Sequence, residues 1–151
     1  IVARERDAER LGRVGEPTEV NDGVLRVLLG AGFLPVISPV ARDGAAVDGG
    51  ALNVNADDAA AAIAVSMDAD ELLLISDVAG VMIGGLVVAT MSSEDAVHAI
   101  ESGAATDGMK TKLCAALDAL ALGVPQVRIG GLDALLDATS GTTLLLAPQL
   151  A

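Results

Sequence analysis

The sequence predicts an α/β fold, a three-layer αβα sandwich around a mainly parallel sheet, and three observations carry that reading. Helical and strand patterns alternate along the chain. The stretch Asp57 to Met67 carries Ala and Ile at helical spacing, and Glu71-Leu72-Leu73-Leu74-Ile75-Ser76 follows it, apolar almost throughout. A strand without a polar face is one covered on both sides, as in parallel sheets flanked by helices. The polar exceptions collect at strand exits and helix starts, which is where open α/β sheets build ligand crevices.

Taken in order, the chain opens on charged residues, and Glu16-Pro17-Thr18-Glu19-Val20-Asn21 reads as a turn. Asn21 or Asp22 then caps a helix through Val24, Leu25, Val27 and Leu28 to Gly30. Phe33-Leu34-Pro35-Val36-Ile37-Ser38 reads as a strand whose proline puts it at a sheet edge or puts the proline near its start. Ala41 to Gly50, rich in Asp and Gly, reads as a surface loop. After the helix over 57–67, Asp68-Ala69-Asp70 is the turn into the buried strand. Gly84-Gly85, between Val81-Met82-Ile83 and Leu86-Val87-Val88, signals a tight antiparallel hairpin. Ser92 with Asp95 has the spacing of a capping box, opening a helix that runs to about Glu101 and stops at Gly103. A helix from Met109 to about Leu122 buries Leu113, Ala116, Leu117 and Leu120 and ends at Gly123. Pro125 to Gly130 reads as a strand, Leu132 to Asp137 as a short helix, and Thr142 to Leu146 as a last strand.

Composition excludes several classes. The 151 residues are one domain's worth, with 52% hydrophobic residues, one Phe and neither Trp nor Tyr. The mean hydropathy of +0.58 hints at a membrane, but no run reaches the roughly 18 apolar residues a spanning helix needs. A net charge of −12 with only nine Lys and Arg argues against a nucleic-acid partner, because counterion release needs clustered cations. Cys114 is the single cysteine; a disulfide framework is excluded, a reducing cytoplasm fits, and the residue reads as a small core side chain. His98 reads as a surface residue rather than a base. The first residues, Ile1-Val2-Ala3-Arg4, have neither an initiator Met nor a signal peptide's apolar stretch, and residue 1 reads as an internal position of a longer protein.

Two segments carry chemistry. Asn53-Val54-Asn55-Ala56-Asp57 pairs short polar side chains with a carboxylate at a helix start, and Gly108-Met109-Lys110-Thr111-Lys112 supplies cations at another. Holding two anions together for phosphoryl transfer needs cations on the moving phosphate and a group that orients them. Each residue also has a plainer reading. On spacing alone Asp57 reads first as a cap or an acid favoured by the helix dipole, and Asn53 and Asn55 also read as turn residues. Ser76 and Asp77 also read as a turn after their strand, Lys112 also reads as a solvated helix lysine, and for Lys110 the solvated reading is the favoured one.

Leu52-Asn53-Val54-Asn55-Ala56-Asp57, Ile75-Ser76-Asp77-Val78-Ala79-Gly80-Val81 and Thr106-Asp107-Gly108-Met109-Lys110-Thr111-Lys112 together resemble the C-terminal, nucleotide-binding half of the acetylglutamate kinases, a branch of the amino acid kinase family. Leu11-Gly12-Arg13-Val14-Gly15 and Gly141-Thr142-Thr143-Leu144 extend the resemblance from about Gly12 to Leu146. The resemblance implies a partial amino acid kinase (carbamate kinase-like) fold, with residues 1–22 a lead-in from a preceding half and 23–151 the ATP-binding domain. It implies transfer of the ATP γ-phosphoryl to the side-chain carboxylate of N-acetyl-L-glutamate, on the arginine-biosynthesis route. Asn53 would contact acetylglutamate, Asp57 would organise catalytic lysines, and Lys112 would stabilise charge on the phosphoryl group. Asp77, Val78, Ala79, Gly80, Val81 and Met82, with Ala104, Ala105 and Thr106, would line the ATP site.

Mg²⁺ would arrive largely with the nucleotide rather than in a protein cage. The expected partners are these small molecules and further copies of the full-length protein, without nucleic acid or membrane. The family's glycine-rich loops, second lysine and substrate arginine have no counterpart in this sequence, so the piece by itself is expected to be inactive or nearly so. Three alternatives stand beside this reading: a kinase acting on carrier-linked aminoadipate or glutamate, a non-catalytic kinase-like regulatory domain, and a generic α/β nucleotide-binding or oligomerisation domain. A carrier-bound substrate would need a basic docking surface, which an acidic chain does not offer.

Overall fold

A computed structural model describes residues 1–147, so the last four residues of the expected ATP-binding domain lie outside it. The chain divides into two compact units, Ile1–Met67 and Asp68–Ala151.

In the first unit the elements are β1 (Val2–Glu5), α1 (Ala8–Leu11), β2 (Val14–Glu19), α2 (Gly23–Gly30), β3 (Val40–Asp43), β4 (Ala51–Val54) and α3 (Ala56–Ser66). The four strands close on themselves in the order β1-β2-β4-β3. So tight a closure needs small inward residues, and Ala3, Ala41, Leu52, Val54 and Ala59 form its core. Gly15 is required there, because a Cβ would stand 2.9 Å from both Ala3 Cβ and Leu52 Cδ1.

Three expectations change in this unit. The supposed turn from Glu16 is mostly strand β2. Pro17 fits because the β1–β2 register slips between Val2 and Ala3, pairing Ala3 with Pro17 and Val2 with Glu19, and an irregularity is where a ladder tolerates proline. The loop expected from Ala41 contains most of β3, whose buried residues are the unobtrusive Ala41 and Asp43. Phe33 to Ser38 forms no strand. Pro35 removes a ladder donor, and Phe33, Leu34 and Val36 are exposed rather than packed. The α2 helix begins as expected, with Asn21 Oδ1 accepting from Gly23 N at 3.2 Å.

The second unit holds β5 (Glu71–Ile75), the hairpin β6 (Met82–Ile83) and β7 (Leu86–Val87), β8 (Thr90–Ser92), α4 (Ser93–Glu101), α5 (Asp107–Ala121), β9 (Gln126–Gly130), a 3-10 turn at Leu132–Leu135 and β10 (Thr142–Leu145). The main sheet runs β5-β9-β10-β8, with β5/β9 and β10/β8 parallel and β9/β10 antiparallel. Leu72, Leu74, Val127, Ile129 and Leu144 are buried in it, and Leu113, Ala116 and Leu120 of α5 are buried as the helical spacing predicts. Cys114 is exposed, contrary to the core expectation. It follows Leu113 by about 100° around the helix and so leaves the buried stripe.

The capping box of α4 forms in full. Ser92 Oγ accepts from Asp95 N at 3.1 Å, and Asp95 Oδ2 accepts from Ser92 N at 3.3 Å and from Ser92 Oγ at 2.6 Å. The Ser92 hydroxyl, then its amide, hold the Asp95 carboxyl below its ordinary value of 3.8. A depressed folded value means that the contribution is complete above the unfolded value and is lost as pH falls through the folded one. Ser92→Ala removes the N-cap and is expected to lower stability by about 1 kcal/mol at neutral pH, the usual cost of a lost cap. Chemical-denaturation curves should show the difference shrinking once the pH falls below 3.8. A difference that stays constant down to pH 2 would remove the box as its cause.

Candidate functional site

The carboxyl end of β5 opens into a cavity of about 440 Å³ that belongs wholly to the second unit. Pockets for small molecules and cofactors run roughly 300–1,000 Å³, so this one is of ordinary ligand-site size. Ser76, Asp77 and Val78 enter it from the strand exit, and Gly80, Val81, Met82 and Ile83 continue that wall. Ala99 of α4 and the loop Ala104-Ala105-Thr106 face it, and Gly108, Met109 and Lys112 come from the first turns of α5.

The local sequence explains the arrangement. Ser76 N donates to Gly130 O at 2.8 Å, which holds the end of β5 against β9, and Ser76 Oγ donates to Asp77 Oδ1 at 3.2 Å. The hairpin after Ile83 turns on Gly84 and Gly85, both at positive φ, as a two-residue turn of that hand requires. Thr106 stands at the N-cap of the 15-residue α5. The N-terminus of a helix presents backbone donors and positive potential to an anion, and Lys112 adds a full charge on the same side. Val78, Met82, Ile83 and Met109 give the cavity aliphatic and thioether walls; the chain's single aromatic residue, Phe33, lies in the other unit.

Of the residues expected to line a nucleotide site, Asp77, Val78, Gly80, Val81, Met82, Ala104, Ala105 and Thr106 border this cavity together with Lys112. Ala79 is exposed and does not border it. Ser76, Ile83, Ala99, Gly108 and Met109 also line it. Ile83 and Met109 look like ordinary apolar positions in the sequence, and only the fold brings them to the cavity.

Asn53 and Asp57 belong to the first unit. Asn53 lies on β4, opposite Val14 of β2 and Val40 of β3, and is exposed. Asn55 is the N-cap of α3, its Oδ1 accepting from Asp57 N at 2.8 Å and Asp58 N at 3.3 Å. The cap role that competed for Asp57 thus belongs to Asn55. Asp57 sits in the first turn, half-buried, where the helix dipole favours a carboxylate.

Sequence reading missed two polar features of the second unit. Arg128 is buried in β9 and paired with Glu71 of β5, Nε to Oε1 at 2.9 Å. Thr142 at the start of β10 is fully buried, and its Oγ1 accepts from Val81 N at 2.8 Å. A lone cation inside Gln126-Val127-Arg128-Ile129 was the available signal for the first. The second joins residues too distant in sequence to leave one.

Comparison with known proteins agrees with this architecture. The amino acid kinase family matches residues 1–131. Acetylglutamate kinase of Chlorobaculum tepidum is 42% identical over 123 residues, 82% of this chain and 42% of that protein. Acetylglutamate kinase of Roseiflexus castenholzii is 42% identical over 137 residues, 91% of this chain and 51% of that protein. The chain thus spans about half the length of the curated relatives it matches. Among solved structures, smu.665 from Streptococcus mutans superposes with a TM-score of 0.85 at 32% identity, covering 95% of this chain and 56% of that one. Carbamate kinase from Giardia lamblia, at 19% identity and a TM-score of 0.74 over 89% of this chain and 46% of its own, shares the fold. Among the described residues no helix is long and apolar enough to cross a membrane.

Proposed function

The chain belongs to the amino acid kinase family, and from that premise we propose that it is the nucleotide-binding half of an acetylglutamate kinase. The reaction would move the γ-phosphoryl of ATP to the side-chain carboxylate of N-acetyl-L-glutamate, giving an acyl phosphate for arginine biosynthesis. The observation that carries this reading is the cavity that collects Asp77, Thr106 and Lys112 around one strand exit and one helix start, in a chain about 40% identical to proteins named for that activity.

Base and sugar would lie against Val78, Met82 and Met109, with the Asp77 carboxylate able to accept from ribose hydroxyls. The phosphates would meet the amino end of α5 and Lys112, where donors and positive charge are already oriented. Mg²⁺ would supply charge neutralisation on the phosphates and would come with the nucleotide. Lys112 acts where negative charge spreads over the equatorial oxygens in transfer, so it lowers the barrier more than it tightens the ground state. Asp57 would orient lysines by ion pairing, and Asn53 would hold the acetylglutamate backbone. The remaining cations that a carboxylate acceptor requires would come from sequence beyond these 151 residues. A cytoplasmic homo-oligomer is the expected setting for the whole protein.

The test is hydroxylamine trapping of the acyl phosphate by the intact protein, offered acetylglutamate, glutamate and aminoadipate. Acetylglutamate is expected to be the preferred acceptor, and residues 1–151 alone to give little or no product. Preference for aminoadipate would replace the substrate assignment, and robust turnover by the 151 residues alone would overturn the division of labour.

A further inference from the structure

We propose that Thr142 is a positioning residue for the nucleotide cavity, fixing the wall from Val78 to Val81 through the Val81 amide although it does not itself border the cavity. The inference rests on the reading of that cavity as a nucleotide site. Three chain segments meet behind the wall: the exit of β5, the end of β9 and the start of β10. Their meeting is nearly free of side chains. A Cβ on Gly130 would stand 2.8 Å from Ala134 Cβ and 3.2 Å from Gly141 Cα, and one on Gly141 would stand 2.6 Å from Ile129 O. Gly141 has a φ of 97°, which an L side chain rarely adopts.

Against this glycine seam the wall is tied by a side chain. Thr142 Oγ1 accepts from Val81 N at 2.8 Å, and both residues are buried, Thr142 at 0% and Val81 at 1% exposure. The backbone on either side is fixed as well, since Val88 N donates to Val81 O at 2.9 Å and Thr143 N donates to Ala89 O at 3.0 Å. Gly80 completes the fit. A Cβ there would lie 2.7 Å from Thr142 Oγ1 and 2.9 Å from Val87 Cγ1, so the wall can approach the hydroxyl only as glycine. Without the hydroxyl, the Val81 amide would be buried and unpaired, a condition that a short loop relieves by moving toward solvent. The loop that would move is the one that borders the cavity.

The test titrates MgADP into the intact protein and into its Thr142→Val and Thr142→Ser variants, at a temperature where their circular dichroism is native. Thr142→Ser keeps the acceptor and is expected to bind within about threefold of the parent. Thr142→Val should bind about five- to tenfold more weakly, the order of one lost hydrogen bond, and its Val81 amide should exchange faster with solvent. A threonine that merely stabilises the fold would lower the melting temperature and leave the affinity unchanged. Equal affinity of parent and Thr142→Val therefore overturns the proposal and leaves the site reading intact. A parent that fails to bind MgADP instead overturns the site reading. Should Thr142→Val fail to fold, Gly80→Ala, which crowds the same hydroxyl from the other side, carries the test; unchanged MgADP affinity there is the adverse result.

Discussion

Under the proposed function, Lys112→Ala is expected to lower kcat of the intact protein by about 10²–10³-fold, the usual cost of removing one preorganised group that stabilises charge developing in a transition state. The Michaelis constant for ATP should rise far less, about tenfold at most, because a bound nucleotide keeps its contacts with the rest of the cavity. Lys112 stands on α5 in the second turn, its side chain half-buried at the cavity edge, whereas Lys110 is exposed and does not border the cavity. Lys110→Ala is accordingly the control and should remain within about twofold of the parent, as surface substitutions usually do. Steady-state kinetics in both substrates separates the outcomes. An unchanged kcat with a raised Michaelis constant would make Lys112 a ground-state anchor, and no change in either would take it out of the site.

The contrast between two neighbouring lysines shows what sequence can carry. Their spacing around a helix is legible, and so is the strand that leads to Asp77, because Leu72, Leu73 and Leu74 leave that strand no polar face. The capping box at Ser92 and the Gly84-Gly85 hairpin are local chemistry and form where their residues predict. The first unit is less legible for a physical reason. Its strands are short, and its core is largely alanine beside Leu52 and Val54, so Val40-Ala41-Arg42-Asp43 has little of the hydrophobic contrast that marks a strand. Phe33 to Ser38 is apolar and forms no strand, since Pro35 interrupts the ladder, and Phe33, Leu34 and Val36 are exposed. In the cavity, motif resemblance pointed to Val78, Gly80 and Thr106, while Met109 and Ile83 needed the fold. The Val81–Thr142 bond depends on strand order, which no local pattern encodes.

Arg128 presents the same difficulty in its most costly form, and Arg128→Ala is expected to destabilise the protein by about 3–5 kcal/mol, the usual cost of breaking a buried charged pair. Its guanidinium forks onto Glu71, Nε to Oε1 at 2.9 Å and NH2 to Oε2 at 3.2 Å. NH1 then donates to the carbonyl oxygens of Ala134, Asp137 and Ser140 at 2.8, 2.9 and 3.3 Å. One side chain thus joins β9 to β5 and gathers the whole connection to β10. The side chain of Glu71 is 31% exposed, so solvent screens its attraction and the ion pair alone does not set the cost. The carbonyls weigh more, because they lose a charged donor in a place that water reaches poorly. The hydrogen bond to Glu71 raises the Arg128 pKa above its already high ordinary value. A raised value gives stability that is fully present below the ordinary arginine value and is lost only as pH rises through the raised one, so the contribution should stay flat through neutral pH. Thermal unfolding should place Arg128→Ala about 10 °C or more below the parent. Arg128→Lys should recover only part of the loss, since an ammonium cannot hold a carboxylate fork and three carbonyls at once. A melting temperature for Arg128→Ala within 2–3 °C of the parent, about 1 kcal/mol on the same scale, would mean that the connection from Leu132 to Ser140 holds its shape without this charge.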